Sequence, residues 1–243
     1  MKQFFPNSIL SFLLVLLSSF LLTVSLSFVA DIVDMSVEPD MILFVFALIF
    51  VLIVLVINIR NKIPLVHYYS INLKGFWLAA LIVVIFSLFI DIPLTYKISG
   101  IFSLFIDNSS SVMNISQILS VIILGPILEE ILFRGIFLRG LLVRYSSVKA
   151  ILISSICFAI IHINPCQIFS ALVFGLFFGY IFYKTRSLLY TAVLHCIANT
   201  IIIFYSYHSF LDNLNGITII SLVIVAVLLL WHLCRMWYRR FLV

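Results

Sequence analysis

An all-α fold, a polytopic membrane bundle of about eight transmembrane helices with both termini cytoplasmic, is predicted by three observations. The 243 residues are 65% hydrophobic and only 9% charged, and mean hydropathy is +1.31. A soluble domain carries roughly 25% charge. No water-soluble fold of this size hides so much apolar surface, which excludes a soluble enzyme, a nucleic-acid binder and a disordered chain. The apolar residues, 24 Phe among them, also come in long unbroken runs. A membrane β-barrel would alternate apolar and polar residues in segments of roughly ten. Finally, the loops between runs alternate in charge sign, so the net charge of +5 reports topology rather than an acidic partner.

Eight runs are long enough, or nearly so, to be spans: 8–30, 41–59, 76–95, 116–138, 150–164, 167–183, 187–207 and 216–234. The first follows the basic Lys2 and resembles a signal peptide. Its apolar stretch exceeds the usual h-region, and the bulky Phe28 stands three residues before a cut at Ala30, so it is read as a retained anchor. After it come Asp31, Asp34, Glu38 and Asp40 without a base. The second run is followed by Arg60, Lys62 and Lys74 without an acid. Asp91 and Asp107 then fall outside, with Lys97 as the exception. Arg139, Arg144 and Lys149 are inside. The turn Asn164-Pro165-Cys166 is uncharged, Lys184 and Arg186 are inside, Asp212 is outside, and the tail carries Arg235, Arg239 and Arg240. This alternation places both ends in the cytoplasm, with Trp237 and Tyr238 in the inner aromatic belt. Organisation follows: 1–115 holds three helices, 116–207 a motif-bearing core, and 208–243 a last helix with a basic tail.

Three charges fall inside the fourth run, in Gly125-Pro-Ile-Leu-Glu-Glu-Ile-Leu-Phe-Arg-Gly135. Each costs about 2.5–3.5 kcal/mol at the bilayer centre on insertion scales. Glu130 and Arg134, at i,i+4, share a face and can brace each other. Glu129 points about 100° away and needs another role. A carboxylate withdrawn from water and unspent on a brace is a candidate general base. Pro126 removes one backbone hydrogen bond and kinks this helix.

Two further polar pairs lie in apolar runs: Phe158 with His162, and His195 with Asn199, each at i,i+4. Counted at 1.5 Å per residue from the nearest inner basic residue, Glu129 and His195 lie about 15 and 13 Å deep, and His162 and Asn199 about 20 Å. All four are therefore expected in one layer near the midplane. His67, His208 and His232 are expected at interfaces. Gly175-Leu-Phe-Phe-Gly179 allows close helix packing within the bundle. Cys157, Cys166, Cys196 and Cys234 lack CxxC spacing and read as membrane-core residues.

A glutamate and a histidine can deprotonate water, and a second histidine with an amide can hold a developing oxyanion. Those parts hydrolyse an amide by direct water attack. Ser154, Ser155, Cys157 and Cys196 lie nearby without an evident base to activate them. Glu129, His162 and His195 also match a catalytic zinc set, although HExxH is absent. Metal-free water activation is favoured, with zinc as the alternative.

The runs Glu129-Glu130-x-x-x-Arg134, Phe158-x-x-x-His162 and His195-x-x-x-Asn199 resemble the three motifs of the CAAX-protease and bacteriocin-processing family of intramembrane proteases (CPBP or Abi, type II CAAX prenyl endopeptidase-like). The resemblance covers about 116–207 and shows no departure in the motifs. It implies an eight-helix fold, Glu129 as catalytic glutamate, His162 as its water-activating partner, and His195 and Asn199 as the oxyanion pair. Glu130, Arg134 and Phe158 are then accessory. The implied substrate is a membrane-embedded or lipidated peptide or protein, cut by a multi-pass protein of the cell membrane. Two rivals stand beside this reading. One is a non-proteolytic scaffold or bacteriocin self-immunity protein. The other is a proton-relaying transporter, which predicts inverted repeats that the sequence lacks.

Overall fold

The computed structural model describes residues 4–32, 39–61, 73–95, 114–162, 165–206 and 216–241. Among them there are eight helices and no strand: α1 (Ile9–Ile32), α2 (Pro39–Arg60), α3 (Leu73–Thr95), α4 (115–144), α5 (Ser147–Ile160), α6 (Pro165–Thr185), α7 (Leu188–Ser206) and α8 (Gly216–Phe241). One helix corresponds to each apolar run. The loop residues Asp34, Glu38, Lys62, His67, Lys97, Asp107, His208 and Asp212 lie outside the described residues.

Five of these helices contain stretches long and apolar enough to cross a membrane: Ile9–Ala30, Leu73–Thr95, Gln167–Thr185, Leu188–Tyr205 and Ile220–Trp237. Of the other three, α2 (Pro39–Arg60) is apolar along nearly its whole length, and α4 and α5 fall short of that measure for identifiable reasons. α4 is interrupted by Glu129, Glu130 and Arg134. α5 has 14 residues, about 21 Å of helix against roughly 30 Å of hydrocarbon.

Local chemistry sets the helix ends. Asn114 and Gln117 form a capping box: the Asn114 side chain accepts from the Gln117 N–H at 2.9 Å and Gln117 Oε1 from the Asn114 N–H at 3.0 Å. Ser8 and Ser11 exchange the equivalent bonds at the first turn of α1. Pro165 opens α6, where its missing N–H costs nothing. Arg186 closes α6 in the left-handed region (φ 54°), its N–H reaching Phe182 O at 2.7 Å. Ser187 Oγ then accepts from the Tyr190 N–H at 3.2 Å and starts α7.

Three segments are wound more widely, with i→i+5 bonding: Ser87–Asp91 in α3, and Ser120–Leu124 and Ile131–Leu138 in α4. The first two share a cause. Each is followed by one residue and then a proline, Ile92-Pro93 and Gly125-Pro126. A proline ring clashes with the carbonyl four residues back, and widening the turn relieves that clash. The residue before each proline donates five back, Ile92 to Ser87 O and Gly125 to Ser120 O. A Cβ on Gly125 would lie 3.2 Å from that Ser120 oxygen.

The chain divides into two compact units, Met1–Tyr68 with Leu128–Ser154, and Tyr69–Ile127 with Ser155–Val243. In the first, α1 runs along α2. Phe12 stacks on Phe137 (centroids 3.8 Å) and meets Phe50 edge-on at 5.3 Å. The buried Asn58 joins the chain before α1 to α2: its Oδ1 accepts from Phe5 N–H at 2.9 Å, and its Nδ2 donates to Val54 O at 2.9 Å and to Phe5 O at 2.6 Å. Gly140 lies so close to Pro6 that a Cβ would collide with its carbonyl oxygen. The Arg139 guanidinium covers Phe4 at 4.4 Å.

The second unit is built on α3, α7 and α8, with α6 Phe174 and Phe178 completing its core. Trp237, expected in the inner aromatic belt, is buried in the packing, and its Nε1 donates to Gly75 O at 2.9 Å. An indole in a core needs such a partner. Gly175 packs against α5, where its Cβ would meet Ser155 Cβ at 3.0 Å, so that end of the GxxxG serves contact inside the unit.

Candidate active site

α4 carries the carboxylates. Within the first unit Glu130 and Arg134 are both buried, with Glu130 Oε1 2.8 Å from Arg134 Nη1. The spacing predicts this pair, and the wide turn 131–138 accommodates it. A buried pair is costly to desolvate and more costly to break, so its evident work is to hold itself and α4 in one arrangement. Glu129 is only half-buried, and its charge also acts on Arg134.

The second unit carries the imidazoles. His162 stands just past the last turn of α5, and its Nδ1 lies 2.8 Å from Phe158 O. A carbonyl only accepts, so Nδ1 bears the proton, and in the neutral ring Nε2 is the acceptor. That nitrogen suits a base that takes a proton from water, and the Phe158 carbonyl on Nδ1 favours this tautomer. The buried Phe158 ring meets His162 edge-on at 4.8 Å and His195 at 6.0 Å, so one aromatic side chain braces both imidazoles. Phe178 covers His195 from α6 at 5.5 Å, and His195 is buried. Asn199, one turn on, donates from Nδ2 to Val121 O at 2.9 Å. Among the described residues, within neither unit do three or more His, Cys, Asp or Glu side chains stand where they could hold a metal ion.

Two features escaped the sequence reading. Asp91, expected on the outer side, is buried near the end of α3, where Ser170 Oγ and Thr95 Oγ1 donate to its Oδ1. The polar pair Asp91 and Thr95 at i,i+4 in an apolar helix was the available signal. The Asn199–Val121 bond was signalled by Pro126 alone. Among the cysteines, Cys157 and Cys196 are half-buried and Cys234 is exposed. His232 is exposed.

Residues 111–201 match the family model "Type II CAAX prenyl endopeptidase Rce1-like". A protein of Bacillus subtilis (strain 168) with the name "Putative membrane peptidase YdiL" is 28% identical over 140 residues, 55% of this chain and 57% of the relative. The chain thus spans little more than half of that relative's length. No solved structure matches. The matched segment contains all three motifs, so the resemblance read from them is supported independently. With its several long apolar helices, the chain is a multi-pass integral membrane protein.

Proposed function

We propose, from a membrane protein whose residues 111–201 are similar to the type II CAAX prenyl endopeptidases, that this chain is an intramembrane endopeptidase acting on a membrane-embedded or lipidated substrate. Glu129 and His162 share one water. They take its proton as its oxygen attacks the scissile carbonyl carbon. His195 and Asn199 donate hydrogen bonds to the resulting oxyanion. Collapse of the tetrahedral intermediate breaks the C–N bond, and the proton held by the Glu129–His162 pair passes to the leaving amine. Glu130 and Arg134 keep α4 in register, and Phe158 keeps the imidazoles in theirs.

The observation that carries this reading is the 2.8 Å approach of His162 Nδ1 to Phe158 O, which in the neutral ring leaves Nε2 as the acceptor. A histidine serving only as glue between helices has no need to present Nε2 as its acceptor.

The test compares membranes holding wild-type protein with membranes holding Glu129→Ala at matched, folded levels, with protein termini catalogued by mass spectrometry. Termini made by the wild type should fall by about 100-fold or more, the usual loss when a general base is removed. Identical catalogues, with an immunity or scaffolding phenotype that survives the substitution, would overturn the reading.

A further inference from the structure

The wide turn 120–124 of α4 leaves a backbone group to be accounted for. In its i→i+5 register Gly125 N–H bonds Ser120 O. The next donor in that register would be residue 126, aimed at Val121 O. Residue 126 is proline and has no N–H. The Val121 carbonyl therefore lacks its helical partner, in a chain whose surroundings are lipid, where an unsatisfied carbonyl is costly. Asn199 Nδ2 lies 2.9 Å from that oxygen. It is placed on α7, within the same unit as Val121 and Pro126.

We propose that Asn199 is a positioning residue whose amide stands in for the N–H that Pro126 lacks, and so fixes the wide turn of α4. The consequence runs along the helix. One residue more or less in a turn rotates everything beyond it by about 100° about the axis. Glu129 lies three residues beyond Pro126 on that helix. Little else on the segment holds it: 115–124 buries no side chain. An amide carries two N–H donors, so one is spent on Val121 and one is left for the oxyanion role. The inference therefore deepens the proposed function, and its structural half stands without it.

The test is a cycle in which Pro126→Ala restores the backbone donor. Asn199→Ala, Asn199→Leu (matched in shape, no donor), Pro126→Ala and the two double variants are purified in detergent, and thermal unfolding is followed. In the Pro126 background the Asn199 variants should lose about 5 °C in Tm, as for one carbonyl left unpaired away from water in lipid. In the Pro126→Ala background that loss should largely vanish. If an Asn199 variant fails to fold with Pro126 in place but folds once Pro126→Ala is added, the proposal is equally supported. Equal losses in both backgrounds, or failure to fold in both, overturn it.

The activity readout is the terminus catalogue of the same variants. A double variant clearly more active than Asn199→Ala, though short of Pro126→Ala because the oxyanion donor is gone, supports a positioning role. A double variant as inactive as Asn199→Ala alone overturns that role and leaves Asn199 acting directly on the reacting atoms. If the wild type produces no termini, the endopeptidase reading fails, and the unfolding cycle still decides whether Asn199 replaces the proline's missing donor.

Discussion

The Glu130–Arg134 pair shows what a buried charge costs and how it is tolerated. Each ion alone in this position would be uncompensated, and at 2.8 Å each answers the other. Removing one partner of a buried pair costs about 3–5 kcal/mol, whereas replacing both by apolar side chains of similar volume is often neutral or stabilising. Arg134→Ala and Glu130→Ala should therefore each strongly lower Tm in detergent. The double variant Glu130→Leu/Arg134→Met should unfold near the wild-type temperature. A double variant as unstable as the two single losses added together would show that the pair is held by more than itself. At this scale the sequence was informative wherever spacing alone decides contact: i,i+4 placed Glu130 on Arg134, and Phe158 beside His162. It was blind to partners brought by tertiary packing. Nothing in the spacing of Asp91 points to Ser170, 79 positions away, and nothing around Trp237 points to Gly75.

Helices were legible from apolar runs because lipid demands them, and each run has its helix. Their interior winding was not. A run of Leu and Ile reads the same at i→i+4 and i→i+5, and only the prolines at 93 and 126 mark where the turn must widen. The connection from α6 to α7 is a second case in which backbone geometry overrides what the residue types suggest. Arg186 holds φ 54°, a conformation that costs a residue with a Cβ roughly 1–2 kcal/mol and a glycine almost nothing. Its side chain answers for part of this by lying over the Tyr183 ring at 5.5 Å, and its charge is one of those expected on the inner side. Arg186→Gly should raise Tm by about 2–4 °C, as expected of roughly 1 kcal/mol in a chain of this size. Arg186→Val should lower it. A glycine variant that unfolds earlier than wild type would mean that the guanidinium on Tyr183 outweighs the backbone strain.

For the molecule as a whole, the decisive quantity is which side of the membrane each loop faces. The candidate catalytic residues were legible as types at particular spacings. Their meeting in one layer is an inference from depth counted along separate helices, and it depends on the topology. That topology rests on the charges. Asp31, Asp34, Glu38 and Asp40 follow the first helix without a base, Arg60, Lys62 and Lys74 follow the second without an acid, and Arg235, Arg239 and Arg240 close the chain. Lys and Arg stay on the cytoplasmic side. α5 complicates the crossing count, since about 21 Å of helix does not traverse the hydrocarbon unaided. It does not alter the parity: α5 and α6 together return the chain to the side it left, whether or not α5 crosses completely. Alkaline phosphatase inserted after Asp34 should therefore be active, and after Lys62 or Arg186 inactive. Green fluorescent protein fused after Val243 should fluoresce. A dark C-terminal fusion with active phosphatase after Arg186 would reverse the inner and outer sides of α6 and α7. The depths of His195 and Asn199 would then be counted from the wrong surface, and their shared layer with Glu129 would lose its basis.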